Sequence, residues 1–264
     1  MSLNRAFMYG ESVFTTMRMI SGEVRDWDLH FDRLRKGVEF VYGPFTDGDG
    51  WTAILKNLLE AKYQSLTGDQ VIRLTVFREQ SRGLVKPGMI SVCDLSFNAS
   101  ATPFDSNRIE NKMIKLRTCP APRRPLWWPS YLKAGSYLET ILSQKMYLKD
   151  TDDDLLFLAQ DDTVLESSVA NIFIVRHDKI YTAPLGPNVL DGVMRKKILL
   201  HAQEFFKGIE ESSSTMAQVM KADAVFGSNS VRGLFLVDRI DDYEISYHQD
   251  FLDKFLRFKD KVLL

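Results

Sequence analysis

Cysteine is scarce: the 264-residue chain has two, Cys93 and Cys119. Two thiols make no disulfide framework and show no metal-ligand spacing. They are expected to be free thiols in a reducing cytosol, with no metal site. The histidines, His30, His177, His201 and His248, are scattered and lack a Ser or Cys partner in any recognisable motif, so none is assigned a role. Charge imbalance is missing too. A net charge of −1 gives no global basic field and argues against a nucleic-acid partner. No apolar run approaches the roughly 18 residues a membrane helix needs, and the opening MSLNRAFMYG has no signal-peptide core. Low-complexity tracts, charge blocks and internal repeats are absent. What these absences leave is a soluble cytoplasmic protein, long enough for one large domain or two modest ones.

The patterning that is present alternates strands and helices. Ser12–Met19 is rich in β-branched and aromatic residues, Ser21-Gly22 can turn, and Glu23–Trp27 can return, which predicts a hairpin. Asp28 is expected to cap a helix carrying Phe31, Leu34, Val38 and Val41 at spacings of three and four. A Gly-Pro and Asp-Gly-Asp-Gly stretch ends it, and Trp51–Tyr63 reads as a second helix. Val71–Phe77 and Met89–Leu95 read as strands around a polar loop. Residues 98–107, rich in Ser, Ala, Asn and Pro, are the expected linker. The expected domains are therefore 1–97 and 108–264.

In the second half, Lys112–Arg117 reads as a strand. The run APRRPLWWPS, with four prolines counting Pro120, cannot be regular structure. Ser136–Leu148 is predicted helical. Strands are expected at Asp154–Leu158, Thr163–Leu165, Asn171–Val175 and Lys179–Thr182. A helix at Arg195–Lys207, strands at Ala224–Gly227 and Gly233–Asp238, and a closing helix at Phe251–Val262 complete an α/β pattern.

Chemistry concentrates between Tyr131 and Arg195. Lys133 follows an aromatic, proline-stiffened loop and precedes Ala-Gly-Ser, small residues that let a flat ring approach the backbone. Desolvation favours the neutral, nucleophilic form of such an amine. Glu166 sits in LESSVANIF with no other charge close in sequence, where a carboxylate can keep a ring nitrogen protonated. Gly192 opens a helix, leaving the N–H groups of Val193 and Met194 for a phosphate. Ser228, Asn229 and Ser230 form a second polar cluster, and Arg33 lies on the expected polar side of its helix. Each has a commonplace alternative: a surface lysine, a solvated glutamate, a helix cap, a polar turn, a solvated arginine. Together, amine, carboxylate and phosphate-ready helix point to an aldehyde-and-phosphate cofactor, pyridoxal phosphate.

The motifs YGESVFTTMR, HFDRL, ESSVANIF and DGVMR, in that order around the lysine, resemble the class IV aminotransferase family, the fold-type IV pyridoxal phosphate enzymes. The resemblance runs almost end to end. It implies an α+β two-domain fold: a smaller N-terminal α/β domain, a larger β-barrel-like C-terminal domain with helices, and the cofactor between them. It also implies a homodimer. By that likeness Lys133 bonds the cofactor and later shuttles protons, and Glu166 meets the ring nitrogen. Arg33, Val193, Met194, Asn229 and Ser230 then bind phosphate. Two departures stand out: Gly10-Glu11-Ser12 where relatives often read Gly-Asp-Gly, and the small Ala134-Gly135-Ser136 after the lysine.

The family contains lyases and aminotransferases, and three features tilt the expectation toward 4-amino-4-deoxychorismate lyase, a folate-pathway reaction that releases pyruvate and gives 4-aminobenzoate. Phe14-Thr15-Thr16 looks like the lyases' strand, with Thr16 expected to deliver a proton and Thr15 to touch substrate. FREQSRGL resembles the lyase loop and offers Arg78 or Arg82 to a dicarboxylate. The chain is also short. The alternatives are an aminotransferase using branched-chain or D-amino acids with 2-oxoglutarate, and a non-catalytic copy of the fold. Arg123-Arg124 beside Trp127 and Trp128 reads equally as a carboxylate clamp or a proline-bound surface loop.

Overall fold

The computed structural model describes residues 4–46, 50–63, 65–66, 68–79, 88–105, 112–123 and 127–264. It divides into two units, residues 1–105 with 131–137, and residues 106–130 with 138–264.

In the first unit, a short helix α1 (Arg5–Tyr9) leads into β1 (Ser12–Ile20), β2 (Glu23–Val24), α2 (Trp27–Tyr42), α3 (Gly50–Tyr63), β3 (Gln70–Arg78) and β4 (Leu95–Pro103). The strands form one antiparallel sheet in the order β2-β1-β3-β4. Because side chains alternate along a strand, the register sorts the residues by face. Val13, Thr15, Met17, Ile72, Leu74 and Val76 are buried on the face that meets α2. Phe14, Thr16, Arg73, Thr75, Asn98 and Ser100 share the other face, which is largely polar.

Three expectations are corrected here. The expected linker at 98–107 is mostly β4, an edge strand paired with β3 from Arg78↔Leu95 to Gln70↔Pro103. Its composition suits an edge, where the ladder is made on one side only and a terminal proline withholds no needed donor. The strand expected at Met89–Leu95 is displaced: Val92–Asp94 is a 3₁₀ turn, held by the Asp94 carboxylate accepting the Ser91 N–H at 2.8 Å. Asp28 does not cap α2. The helix starts at Trp27 behind Asp26, which adopts a left-handed conformation at φ 52° and makes no side-chain cap bond.

The second unit contains β5 (Ile114–Thr118), α4 (Leu138–Tyr147), β6 (Asp154–Leu158), β7 (Val164–Ser167), β8 (Asn171–Arg176), β9 (Lys179–Thr182), α5 (Val193–His201), β10 (Gly208–Glu211), α6 (Met216–Val219), β11 (Ala224–Asn229), β12 (Gly233–Ile240), β13 (Tyr243–Glu244) and α7 (Gln249–Leu263). Helix α5 starts two residues earlier than expected and ends at His201, followed by a 3₁₀ turn, Ala202–Glu204. The strands run β10-β9-β8-β11-β12-β5-β6-β7, and β7 pairs back onto β8, closing a barrel. Strand β8 is shared at that seam. Its first residue, Asn171, pairs with Glu166 of β7, while Phe173–Arg176 pair with β9.

Inside the ring lie Leu116, Leu156, Ile172, Ile174, Val225, Phe235 and Val237. On the outer side Phe173 and Phe226 stack at 4.9 Å and pack with Phe255 and Phe258 of α7 and Ile198 of α5. Burying a large side chain of this kind contributes about 1.5–3 kcal/mol, so this layer fixes α5 on the barrel. Both cysteines are free, Cys119 buried and Cys93 exposed.

Candidate functional site

In the first unit the site is built on a strap, residues 131–137, laid along the start of β1. The Lys133 carbonyl accepts the Phe14 N–H at 2.9 Å and the Gly135 N–H donates to the Ser12 carbonyl at 2.9 Å. A side chain at Gly135 would start 2.1 Å from Ser12 Oγ, so this small residue serves the strap's contact with β1. Lys133 stands five residues before α4, not at its first turn. Its Nζ is 3.1 Å from the Tyr137 hydroxyl and 4.9 Å from the centre of the Phe14 ring. The Arg73 guanidinium lies 3.5 Å from the same ring centre. Partial burial pushes Arg73 below its ordinary range, opposed by the nearby Tyr137. Thr16 is directly opposite Arg73 in the β1–β3 register. The structure therefore gathers Lys133, Phe14, Tyr137, Thr16 and Arg73.

Thr15 points to the opposite face. It is fully buried, its Oγ1 2.7 Å from His30 Nδ1 and accepting from Arg33 Nη2 at 3.2 Å. Arg33 is not on a solvated face, as the spacing suggested: it is 4% exposed, one turn from His30 on the sheet-facing side of α2. His30 is held well below its ordinary range, first by burial and then by the charges of Arg33 and Lys133. Both causes favour the neutral imidazole, and the sequence reading missed this residue. Arg78 shares the α2 face, with its guanidinium 5.5 Å from the Tyr42 ring, and is not among the residues gathered round Lys133. Arg82 and Arg124 lie outside the described residues. Arg73 was also missed. Its signal was present: one arginine inside the apolar run VIRLTVF, in phase with Thr75.

In the second unit the seam of the barrel sets Glu166, Asn171 and Ser228 side by side across β7, β8 and β11. Glu166 is not isolated from charge. Arg123, 43 residues away, donates to its Oε1 at 3.1 Å, and the Leu190 N–H donates to Oε2 at 2.9 Å. The Asn171 amide donates to the Leu190 carbonyl at 2.9 Å and to Glu166 at 3.4 Å. A side chain at Gly192 would begin 2.1 Å from Asn171 Oδ1, so Gly192 makes room for that amide. Gly192 is the N-cap of α5 with no side-chain cap bond, and the side chains of Val193 and Met194 are buried in the core. Only their N–H groups are placed to meet a ligand. Ser228 Oγ is buried and has no partner among the described residues. Asn229 is committed elsewhere, its Oδ1 accepting from the N–H groups of Val231 and Arg232, and Ser230 lies half-buried in the same turn. An uncapped helix end and an orphaned hydroxyl suit an anion, and a fixed carboxylate suits a protonated ring nitrogen.

The family model for amino-transferase class IV matches residues 12–240. The chain belongs to this family. It is a pyridoxal-phosphate-dependent enzyme, a lyase or an aminotransferase. Aminodeoxychorismate lyase of Vibrio harveyi is 23% identical over 244 residues, covering 90% of this chain and 86% of that one. A probable branched-chain-amino-acid aminotransferase of Thermotoga maritima is 22% identical over 233 residues, covering 88% and 78%. Among solved structures, a putative 4-amino-4-deoxychorismate lyase of Legionella pneumophila superposes with a TM-score of 0.83 at 24% identity, over 98% of this chain and 93% of that one. That likeness establishes the two-domain, fold-type IV architecture.

Proposed function

We propose that the chain is a 4-amino-4-deoxychorismate lyase, releasing pyruvate and leaving 4-aminobenzoate. The observation that carries the reading is the sheet face around Lys133. It presents Arg73, Thr16 and Thr75, and no carboxylate among the described residues of β1, β3 and β4 on that face. A cationic, hydroxyl-bearing surface suits a substrate with two carboxylates and an amine. The Vibrio harveyi relative supports the same reading. The Thermotoga maritima relative keeps an aminotransferase as the second reading.

Pyridoxal phosphate supplies an aldehyde that condenses with amines and a ring that draws electrons from the amine-bearing carbon. Lys133 would hold the cofactor through its amine, and that amine, when free, would be the base that takes the proton from the amine-bearing carbon. The Tyr137 hydroxyl, 3.1 Å from Nζ, orients the amine. Arg73, in place of Arg78 and together with the Arg82 expected from the sequence, holds a substrate carboxylate, and the Thr16 hydroxyl delivers a proton to the departing enolpyruvyl group. The N–H groups of Val193 and Met194, with Ser228, Ser230 and Arg33, bind phosphate. Glu166 keeps the ring nitrogen protonated.

A homodimer is part of the proposal. Leu138, Ile141, Leu142 and Met146 form one stripe of α4 that is 47–67% exposed, an apolar face suited to a second copy.

The test is to offer 4-amino-4-deoxychorismate with no keto acid and to measure pyruvate. Catalytic release supports the lyase. Turnover that requires 2-oxoglutarate with a branched-chain or D-amino acid overturns it in favour of the aminotransferase.

A further inference from the structure

We propose that Arg123 is a positioning residue for the cofactor ring, acting through Glu166. The proposal rests on the role given to Glu166 above.

Arg123 leaves a proline-rich loop and turns inward to 8% exposure. Both ends of it are fixed. Its N–H donates to the Leu158 carbonyl at 2.9 Å, stitching the loop to β6, and its carbonyl accepts from Asn188 Nδ2 at 3.5 Å. The guanidinium lies 4.0 Å from the centre of the Phe157 ring, with Nη1 on Glu166 and Nη2 3.4 Å from Thr140 Oγ1. Burying a cation costs several kcal/mol unless a paired anion offsets it. The partner here is the one carboxylate that the site assigns to a ring nitrogen. With Arg123 on Oε1 and the Leu190 N–H on Oε2, both oxygens are anchored and the carboxylate plane is set.

The electrostatic consequence follows from distance. Arg123 is in direct contact with the carboxylate, so its charge lowers the proton affinity of Glu166 more than that of a ring nitrogen one hydrogen bond further on. The proton shared between acid and ring is thereby kept on the nitrogen, the state in which the ring draws electrons best.

The experiment compares holoenzymes of the parent, R123Q, R123K, E166Q and the R123Q/E166Q double variant. It reads the pH titration of visible absorbance and the rate of cofactor release. R123Q is expected to move the acid limb of the titration upward by about one pH unit and to speed release about tenfold. R123K keeps the charge but not the fork that reaches both Glu166 and Thr140. It is expected to fall between parent and R123Q, and it serves alone if R123Q does not fold. In the E166Q background, R123Q is expected to add nothing. Should R123Q leave titration and release at parental values while E166Q changes them, Arg123 is only a structural partner and the inference fails. It fails equally if R123Q acts to the same extent with and without Glu166. If E166Q itself changes neither readout, the failure lies one step earlier, in the role given to Glu166.

Discussion

At the scale of single residues, Lys133, Glu166, Gly192 and His30 differ in how far along the chain their partners lie: Tyr137, Arg123, Asn171 and Thr15. Lys133 and Glu166 stood out because an amine among small residues and a carboxylate in an apolar turn are unusual neighbours, and the structure sets Lys133 beside Tyr137 and Glu166 on Arg123 and the Leu190 N–H. Gly192 was legible as the start of α5. Its need for a small residue was not, because the Asn171 side chain that fills the space comes from 21 residues earlier in the chain. Gly192→Ala is expected to push that amide aside, cost about 1–3 kcal/mol in urea unfolding, and weaken cofactor binding in a fluorescence titration. His30 was invisible because a histidine in a helix carries no mark of burial. Its depressed folded-state pKa has a signed consequence. Below about pH 6.5 the unfolded chain binds a proton that the folded chain refuses, so stability contributed above that pH is lost as pH falls toward the folded-state value. The difference in unfolding free energy between the parent and His30→Asn should slope by up to about 1.4 kcal/mol per pH unit in that window. A flat difference would mean that the imidazole is charged when folded.

At the level of elements, period decided most of the reading. β3 alternates along most of its length, β1 is buried at seven of its nine positions, and β6 is buried throughout because both its faces are covered. Composition misled where backbone pairing alone makes the structure, as in β4. The polar side assigned to α2 was wrong for Arg33, because an arginine bonded to Thr15 is as compatible with a buried face as leucine is. Close approach of α2 to β1 depends on Gly37, where a Cβ would lie 2.8 Å from Val13 Cγ1. Gly37→Ala is expected to lift the helix, carrying His30 and Arg33 off Thr15. A loss of about 1–3 kcal/mol in urea unfolding would show this, and an unchanged midpoint would show that Val13 simply rotates away.

For the whole molecule, the order of motifs announced two units and a barrel, whereas the boundary could not be read. It depends on which segments pair, and no local signal marks residues 131–137 as belonging with the first unit. Assembly is the prediction that belongs to this scale. The α4 stripe should seal a pair of copies, so sedimentation of the parent should give twice the chain mass and an Ile141→Glu, Met146→Glu variant the chain mass. A parent protein that sediments as a single chain would remove the dimer from the proposal.

The strap also constrains how such a protein can be divided or inherited. A gene cut after codon 105 would leave its first product without the seven residues that finish its own sheet border, and would hand Lys133 to the second. Neither fragment could be duplicated or recombined alone and carry both that sheet and Lys133 with it.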